Sequence, residues 1–167
     1  SVGKNSFASG NESKAIGDYS QALGYKAIAR GDYSTAIGRE AIAHKENSFA
    51  FGNQAIANDT NSFALGEMAF AQGVESYAFG REAKATGRRS FAFGSAAPKG
   101  SGGGYSWDEA GAPEASGDYS FAFGNGTIAQ GHGSIAMGFK SVASNYFAVA
   151  MGDRTTASGD YSTAMGF

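Results

Sequence analysis

One stretch decides how this chain folds: Ser48-Phe49-Ala50-Phe51-Gly52-Asn53-Gln54-Ala55-Ile56-Ala57. Its pattern, Ser-x-Ala-x-Gly followed by Ala-x-Ala, recurs along the chain at a spacing of 14 residues. With the serine as position 0, eleven copies align, and they start at residues 6, 20, 34, 48, 62, 76, 90, 120, 134, 148 and 162. Position +2 is alanine and position +4 is glycine in all eleven copies. A short fixed period predicts a solenoid in which each repeat forms one coil.

Two parts of each repeat, positions 0 to +4 and +7 to +9, alternate with a period of two residues. Such alternation is typical of β-strands. Glycines at +4 and, in most copies, at +11 lie between these parts, and we expect them to form turns with positive φ. Each coil is therefore predicted as strand, turn, strand, turn, because a glycine at such intervals would cost a helix about 1 kcal/mol each. The predicted class is all-β, a parallel β-roll.

The small residues at 0, +2, +7 and +9 are predicted to face one another inside the roll. These positions hold almost only serine, alanine and threonine. The two sheets must therefore lie close together. Alanines bury little apolar area, and at about 25 cal/mol per Å² they leave the roll with only a small hydrophobic core.

Large apolar residues occupy +1 and +3, on the other side of the first strand, and we call this set the apolar stripe. None of the 13 basic and 15 acidic residues falls at positions 0 to +4. A stripe without charge that the chain cannot cover itself indicates self-association, and closed homo-oligomers are the usual solution. Twofold and threefold arrangements both fit the period. The residues expected in the oligomer core are Phe49, Phe51, Phe63, Leu65, Phe79, Phe91, Phe93, Phe121, Phe123, Met137 and Met151.

The composition argues against several classes of function. A formal net charge of −2 gives no electrostatic basis for binding nucleic acid. The absence of cysteine leaves no disulfide and no thiolate metal site. The two histidines, His44 and His132, have no metal-ligand partner at useful spacing, and the serines repeat without a base beside them. We therefore expect no catalysis, no cofactor and no metal.

Other features of the sequence bear on metal binding, ice binding and acyl transfer. Gly-Asp-Tyr-Ser occurs four times, and the carboxylates of Asp18, Asp32, Asp118 and Asp160 are predicted to cap backbone groups rather than to bind a metal. Threonines are scattered rather than laddered, which disfavours an ice-binding face, and a period of 14 does not fit the hexapeptide repeats of β-helical acyltransferases. An ice- or carbohydrate-binding solenoid and a purely structural spacer that displays other segments remain as alternatives.

The repeat fails in one place. Residues 90 and 120, both position 0, are 30 residues apart, and the segment between them holds the single tryptophan and the densest glycine. An irregular insertion is predicted at about 98–112. Loops on rigid scaffolds often carry function, so Tyr105 and Trp107 are candidate contacts to a partner; the alternative is a tolerated insertion that folds back on the roll.

The repeat S-x-A-x-G-x-x-A-x-A-x-G-x-x resembles the head repeats of trimeric autotransporter adhesins, the YadA-like or haemagglutinin-type heads of Gram-negative bacteria. The resemblance covers nearly the whole chain apart from the insertion. It implies a left-handed β-roll assembled as a homotrimer, with the apolar stripe inside. It also implies an adhesin head on the bacterial cell surface that attaches to host matrix or cell-surface molecules. The chain, residues 1–167, is then expected to be one head fragment of a longer protein that is held in the outer membrane by a C-terminal anchor.

Overall fold

The computed structural model describes residues 3–96 and 111–167, and within these residues the chain forms β-strands and turns without a helix. The strands build two parallel sheets, one of eleven strands and one of ten. The first sheet contains β1 (Phe7–Ser9), β3 (Gln21–Leu23), β5 (Thr35–Ile37), β7 (Phe49–Phe51), β9 (Phe63–Leu65), β11 (Tyr77–Phe79), β13 (Phe91–Phe93), β15 (Phe121–Asn125), β17 (Ile135–Phe139), β19 (Val149–Asp153) and β21 (Thr163–Gly166). The second contains β2 (Lys14–Ala15), β4 (Ile28–Ala29), β6 (Ile42–Ala43), β8 (Ile56–Ala57), β10 (Phe70–Ala71), β12 (Lys84–Ala85), β14 (Glu114–Ala115), β16 (Ile128–Ala129), β18 (Val142–Ala143) and β20 (Thr156–Ala157). The predicted all-β parallel solenoid is confirmed.

Each strand pairs in register with the strand one repeat later. Ala50 of β7 lies beside Ala64 of β9, and Ala57 of β8 lies beside Ala71 of β10. Equivalent positions of the repeat therefore form straight rows along the solenoid. Any property shared by one position of the repeat becomes a property of a whole face of the rod.

The interior consists of the predicted small residues. The alanines at +2 and +9 are fully buried in almost every coil, and so are most of the serines at position 0. Several of these serines also close a turn: the hydroxyl of Ser20 donates to the Gly17 carbonyl at 2.6 Å, and that of Ser34 to the Gly31 carbonyl at 2.6 Å. In these coils the serine fills a narrow space and bonds a backbone acceptor at once, whereas the buried hydroxyls of Ser76, Ser90, Ser120 and Ser134 have no hydrogen-bond partner among the described residues.

The turns differ in part from the prediction. Glycines at +4 do have positive φ, as at Gly52 with φ 138°. Glycines at +11 do not; instead the left-handed residues lie at +6 and +13 and are mostly not glycine, such as Lys26 (φ 55°) and Tyr33 (φ 57°). Where +11 is glycine, neighbouring coils approach closely: a Cβ on Gly17 would lie 2.1 Å from the carbonyl oxygen of Gly31.

Asn145 takes the place of the +11 glycine in its coil and, like those glycines, has no positive φ. The positive φ in that turn belongs to Phe147, at 48°. Asn145 contributes through its side chain instead, which donates to the carbonyl of Ser158 in the next coil. A side-chain hydrogen bond between coils thus accompanies the loss of the glycine.

Both sheets continue past the break in the repeat. β13 pairs directly with β15, so that Ala92 lies beside Ala122, and β14 pairs with both β12 and β16. The 30 residues between positions 90 and 120 therefore form a single coil that carries an insertion. Pro113 fills the +7 slot of that coil and is fully buried. Tyr105 and Trp107 lie outside the described residues.

Candidate association surface

The apolar stripe lies on the outer side of the first sheet. Its side chains point outward because their neighbours at 0 and +2 point inward along the same strands. In the single chain they are half-buried or exposed, and Phe51, Phe93 and Phe123 have exposed fractions of 47%, 44% and 41%. All the residues predicted for the oligomer core lie on this one face.

The rings of the stripe stack along the rod. Phe49 and Phe63 are nearly parallel, with centroids 4.8 Å apart, and Phe91 and Phe121 are 5.5 Å apart. The rings of Phe93 and Phe123 stack in the same way, with centroids 5.1 Å apart. These distances are those of favourable aromatic pairs. The stripe is therefore ordered by its own backbone ladder before any partner is present.

The surface of the stripe is not flat. A hollow of about 280 Å³ lies among Leu65, Phe79 and Phe93, and its floor includes Gly80 and Gly94. A hollow of this size can receive a large side chain from another chain. The stripe can therefore interdigitate with a partner rather than meet it as a flat plane.

A second apolar row, which the sequence had not led us to predict, lies on the outer side of the second sheet. Position +8 places Ile28, Ile42, Ile56 and Phe70 in consecutive coils, all of them half-buried. An open groove of about 480 Å³ runs beside the last three of them. The signal was present, because the positions between the alanines at +7 and +9 are apolar in most coils. We call this surface the second-sheet face.

Aromatic side chains also form a column along one turn of the late coils, and we call this column the turn ladder. Its rings succeed one another at 5.3 to 6.5 Å. Apart from His132 they are exposed, and Tyr161 is 75% exposed. The Gly-Asp-Tyr-Ser motif pointed to part of this column but not to its continuity. Its members are Tyr119, His132, Tyr146, Phe147 and Tyr161.

The aspartates of that motif cap the preceding coil. One oxygen of Asp18 accepts from the backbone N–H of Lys4 at 2.8 Å, and one oxygen of Asp118 accepts from that of Arg88 at 2.8 Å. The predicted backbone capping is therefore confirmed. Among residues 3–96 and 111–167 no group of three or more His, Cys, Asp or Glu side chains is placed to hold a metal ion.

The pKa values of two titratable side chains on the turns, His44 and Glu75, are lowered. Burial, together with the charges of Arg30 and Lys45, lowers the pKa of His44 below its usual 6.5. The pKa of Glu75 is lowered mainly by its hydrogen bond with Arg89, whose Nε lies 2.6 Å from a carboxylate oxygen. Both groups lie on the surface and away from any nucleophile–base pair. The shifts are therefore consequences of turn packing.

Comparison with known families agrees with this architecture. A family model described as the YadA head domain repeat, in two copies, matches residues 1–20, 15–41, 43–66, 71–97, 115–141, 129–155 and 143–167. A search of curated proteins gives no match. Within the part of the chain that the structure describes, no helix could cross a membrane.

Proposed function

Because this chain belongs to the family of the YadA head domain repeat, the head type of trimeric autotransporter adhesins, we propose that three copies associate through the apolar stripe into one rod. This rod serves as a non-catalytic attachment head on a bacterial cell surface and binds host matrix or cell-surface molecules. The observation that carries the association is the stripe itself: each of the eleven coils places at least one large apolar side chain at +1 or +3, and none places a charge there.

The energetics of the single roll support association. Its interior holds alanine and serine, which bury little apolar area, whereas its largest apolar side chains lie outside. Burying one phenylalanine or leucine side chain contributes roughly 1.5–3 kcal/mol. Rows of such side chains along the stripe therefore offer far more stabilisation than the roll has in its own core, and only partner chains can supply it.

A threefold arrangement is supported by the family, and the shape of the stripe is compatible with it. The stripe is a narrow strip parallel to the solenoid axis, so identical strips can meet around a common axis and close. The stacked rings provide ridges and the hollow at Phe79 provides space for a neighbouring side chain. The assembled rod would then keep its second-sheet faces and turns outward.

Attachment is supported by the family and by the repetitive outer surface. Every turn and every second-sheet position recurs along the rod and, in a trimer, around it. Weak individual contacts can then combine, since multivalent binding raises overall affinity by orders of magnitude.

The oligomer is tested by sedimentation equilibrium of the full chain. A trimer gives a mass of about three times 17.1 kDa, and a folded monomer across the micromolar range would disprove the association. Attachment is tested separately by binding of the purified rod to surfaces coated with extracellular matrix. Absence of binding to every coat would contradict the adhesive function while leaving the trimer intact.

A structural spacer that displays the insertion is a second candidate, favoured by the direct pairing of β13 with β15. The stack does not depend on the inserted residues for its continuity. Deleting residues 99–110 should leave the number of associated chains and the fold unchanged in either case. Loss of matrix binding in this variant would favour display of the insertion, and unchanged binding would favour the rod surface itself.

A further inference from the structure

A polar groove beside the turn ladder has no part in the proposed association. It lies where three successive second strands, β14, β16 and β18, run into their turns, and its volume is about 380 Å³. This lies within the size range of small-ligand sites. The side chains that line it are those of Asp118, Gln130, His132, Ser144, Asn145 and Tyr146.

Two rings form the aromatic part of the groove. The His132 and Tyr146 rings are 5.6 Å apart at an interplanar angle of 28°, and Tyr146 remains 57% exposed. Tyr119 meets the other side of His132 at 5.3 Å and 61°. His132 is therefore held between two tyrosines, while the Tyr146 ring stays open to a ligand.

The floor of the groove is backbone. A Cβ on Gly131 would lie 1.8 Å from the carbonyl oxygen of Asn145, and one on Gly117 would lie 2.1 Å from that of Gly131. A side chain at either glycine would therefore collide with the backbone of the next coil. The close stacking of the coils at this point depends on these two glycines.

Hydrogen-bonding side chains border the rings. Asp118 is fixed because one of its oxygens accepts from the Arg88 backbone N–H at 2.8 Å. The groove also contains the Gln130 amide and the Ser144 hydroxyl. A carboxylate accepts, whereas an amide and a hydroxyl can both donate and accept. This mixture suits a ligand that carries neighbouring hydroxyl groups.

The groove differs from the equivalent turn at the start of the rod. There Tyr19 and Tyr33 stack at 5.2 Å with parallel rings, each following a capping aspartate. In the late coils Gly133 takes the place of that tyrosine, and the Phe147 ring occupies the space: a Cβ on Gly133 would lie 2.6 Å from it. His132 and Tyr146 themselves stand at the repeat position that Asp18 and Asp32 hold at the start of the rod, so aromatic rings rather than carboxylates line the groove there.

We propose that this groove binds the sugar rings of a neutral glycan, with Tyr146 against the apolar C–H face of a pyranose and Asp118 and Gln130 bonded to its hydroxyls. Aromatic rings provide apolar contact at little conformational cost, and a carboxylate beside them disfavours anionic sugars by repulsion. The inference rests on the proposed attachment function and gives that function a ligand class and a site.

The first experiment measures binding of the full chain to immobilised neutral oligosaccharides, both hexose and N-acetylhexosamine oligomers, with sialylated counterparts beside them. We expect binding to at least one neutral oligosaccharide, and a drop in affinity of about tenfold in Tyr146→Ala, which corresponds to the loss of one aromatic contact. Tyr19→Ala is the matched control, because it removes an exposed ring from the equivalent turn, and it should bind unchanged.

The proposal is overturned if no neutral oligosaccharide binds, if sialylated forms bind better, or if Tyr19→Ala loses as much affinity as Tyr146→Ala. Circular dichroism verifies that both variants fold. If Tyr146→Ala does not fold, chemical-shift perturbation in the unmodified protein decides the question. Shifts centred on Gln130, Ser144 and Tyr146 support the site, whereas shifts elsewhere or none overturn it.

A second experiment separates this inference from the attachment function. The rod is applied to matrix coats before and after enzymatic removal of their neutral glycans. Binding that disappears with the glycans supports the groove; binding that persists overturns it but leaves attachment in place. If untreated coats bind no rod, the attachment function fails, and the oligosaccharide measurement still decides whether the groove binds sugars.

Discussion

The two outer faces of the roll come from the same repeat and the same strand spacing, yet they have different compositions. The apolar stripe carries no charge in any of the eleven coils. The second-sheet face has an apolar row from Ile28 to Phe70, but Lys14 precedes this row and Lys84 and Glu114 follow it. Apolar content alone therefore does not distinguish the faces. The continuous exclusion of charge does, and it is the basis on which we propose that a partner covers the apolar stripe.

The reason is the cost of burying an unpaired charge, which exceeds the gain from neighbouring apolar contacts. One lysine in a row of isoleucines is harmless in water, because its long side chain keeps the ammonium solvated. In a closed interface the same lysine would interrupt a row that runs the length of the rod. The second-sheet face accepts such residues, which indicates that it stays in water.

The largest effect should come from charging the stripe. Phe63→Asp combined with Phe79→Asp places two carboxylates per chain in the proposed trimer interface. We expect dissociation and unfolding of the rod, a loss of several kcal/mol, because each carboxylate would be buried without a partner. Sedimentation equilibrium and thermal unfolding followed by circular dichroism measure the two consequences.

The matched control charges the other face of the two preceding coils. Ile42→Asp combined with Ile56→Asp should give a folded rod of unchanged mass with a modestly lower melting temperature, because these side chains are half-buried at most. If this pair dissociated the rod as well as the stripe pair does, both faces would lie in interfaces. A folded trimer with a charged stripe would refute the assignment of the stripe.

A smaller effect should follow from removing the charges of the second-sheet face. Lys84 and Glu114 lie side by side in adjacent coils, and Glu114 belongs to the coil that carries the insertion. Replacing both with isoleucine joins the apolar rows on either side into one row, and each new side chain offers roughly 1.5–3 kcal/mol if it is buried. We expect rods to associate laterally, seen as a concentration-dependent rise in mass above the trimer.

Serine at the same two positions is the control, since it removes the charges without adding apolar surface. The serine variant should retain the mass of the unmodified rod. Lateral association of the serine variant would show that repulsion between charges, rather than the broken apolar row, keeps the face free.

Much of the fold was predictable because each residue repeats its role. Ala50 and Ser48 are interior residues in the structure as in the prediction, and Phe49 and Phe51 point outward, because a strand leaves only two directions for a side chain. Eleven copies turn this simple alternation into a strong signal. The backbone capping by Asp18 and Asp118 was predictable for a similar reason, since short acidic side chains at turns commonly bond nearby backbone N–H groups.

Features that depend on neighbouring coils were not predictable from the repeat. The left-handed conformation falls at +6 and +13, as at Lys26 and Tyr33, and not at the glycines of +11. Those glycines lie instead where the backbones of neighbouring coils approach closely. The groove at Gln130 combines side chains from three coils and an exception at Gly133. A pattern read one repeat at a time contains no information on such combinations.

The smallest expected effect concerns pH and the turn that borders the second-sheet face. Burial lowers the pKa of His44, and the charges of Arg30 and Lys45 lower it further. The unfolded chain therefore takes up a proton at higher pH than the folded chain does. The stability contributed by neutral His44 is complete above about pH 6.5 and declines as the pH falls through that value towards the lower pKa of the folded state.

Melting temperatures of the unmodified chain and of His44→Gln, measured between pH 7.5 and 5.5, provide the test. The unmodified chain should lose more stability over this range than the variant, and Arg30→Gln should show an intermediate loss, because it keeps the burial of His44 and removes one nearby charge. The stripe positions of the same coils hold no imidazole, carboxylate or amine. The pH dependence that His44 causes therefore arises outside the apolar stripe. Equal losses in all three proteins would show that the acidity of His44 is not coupled to folding.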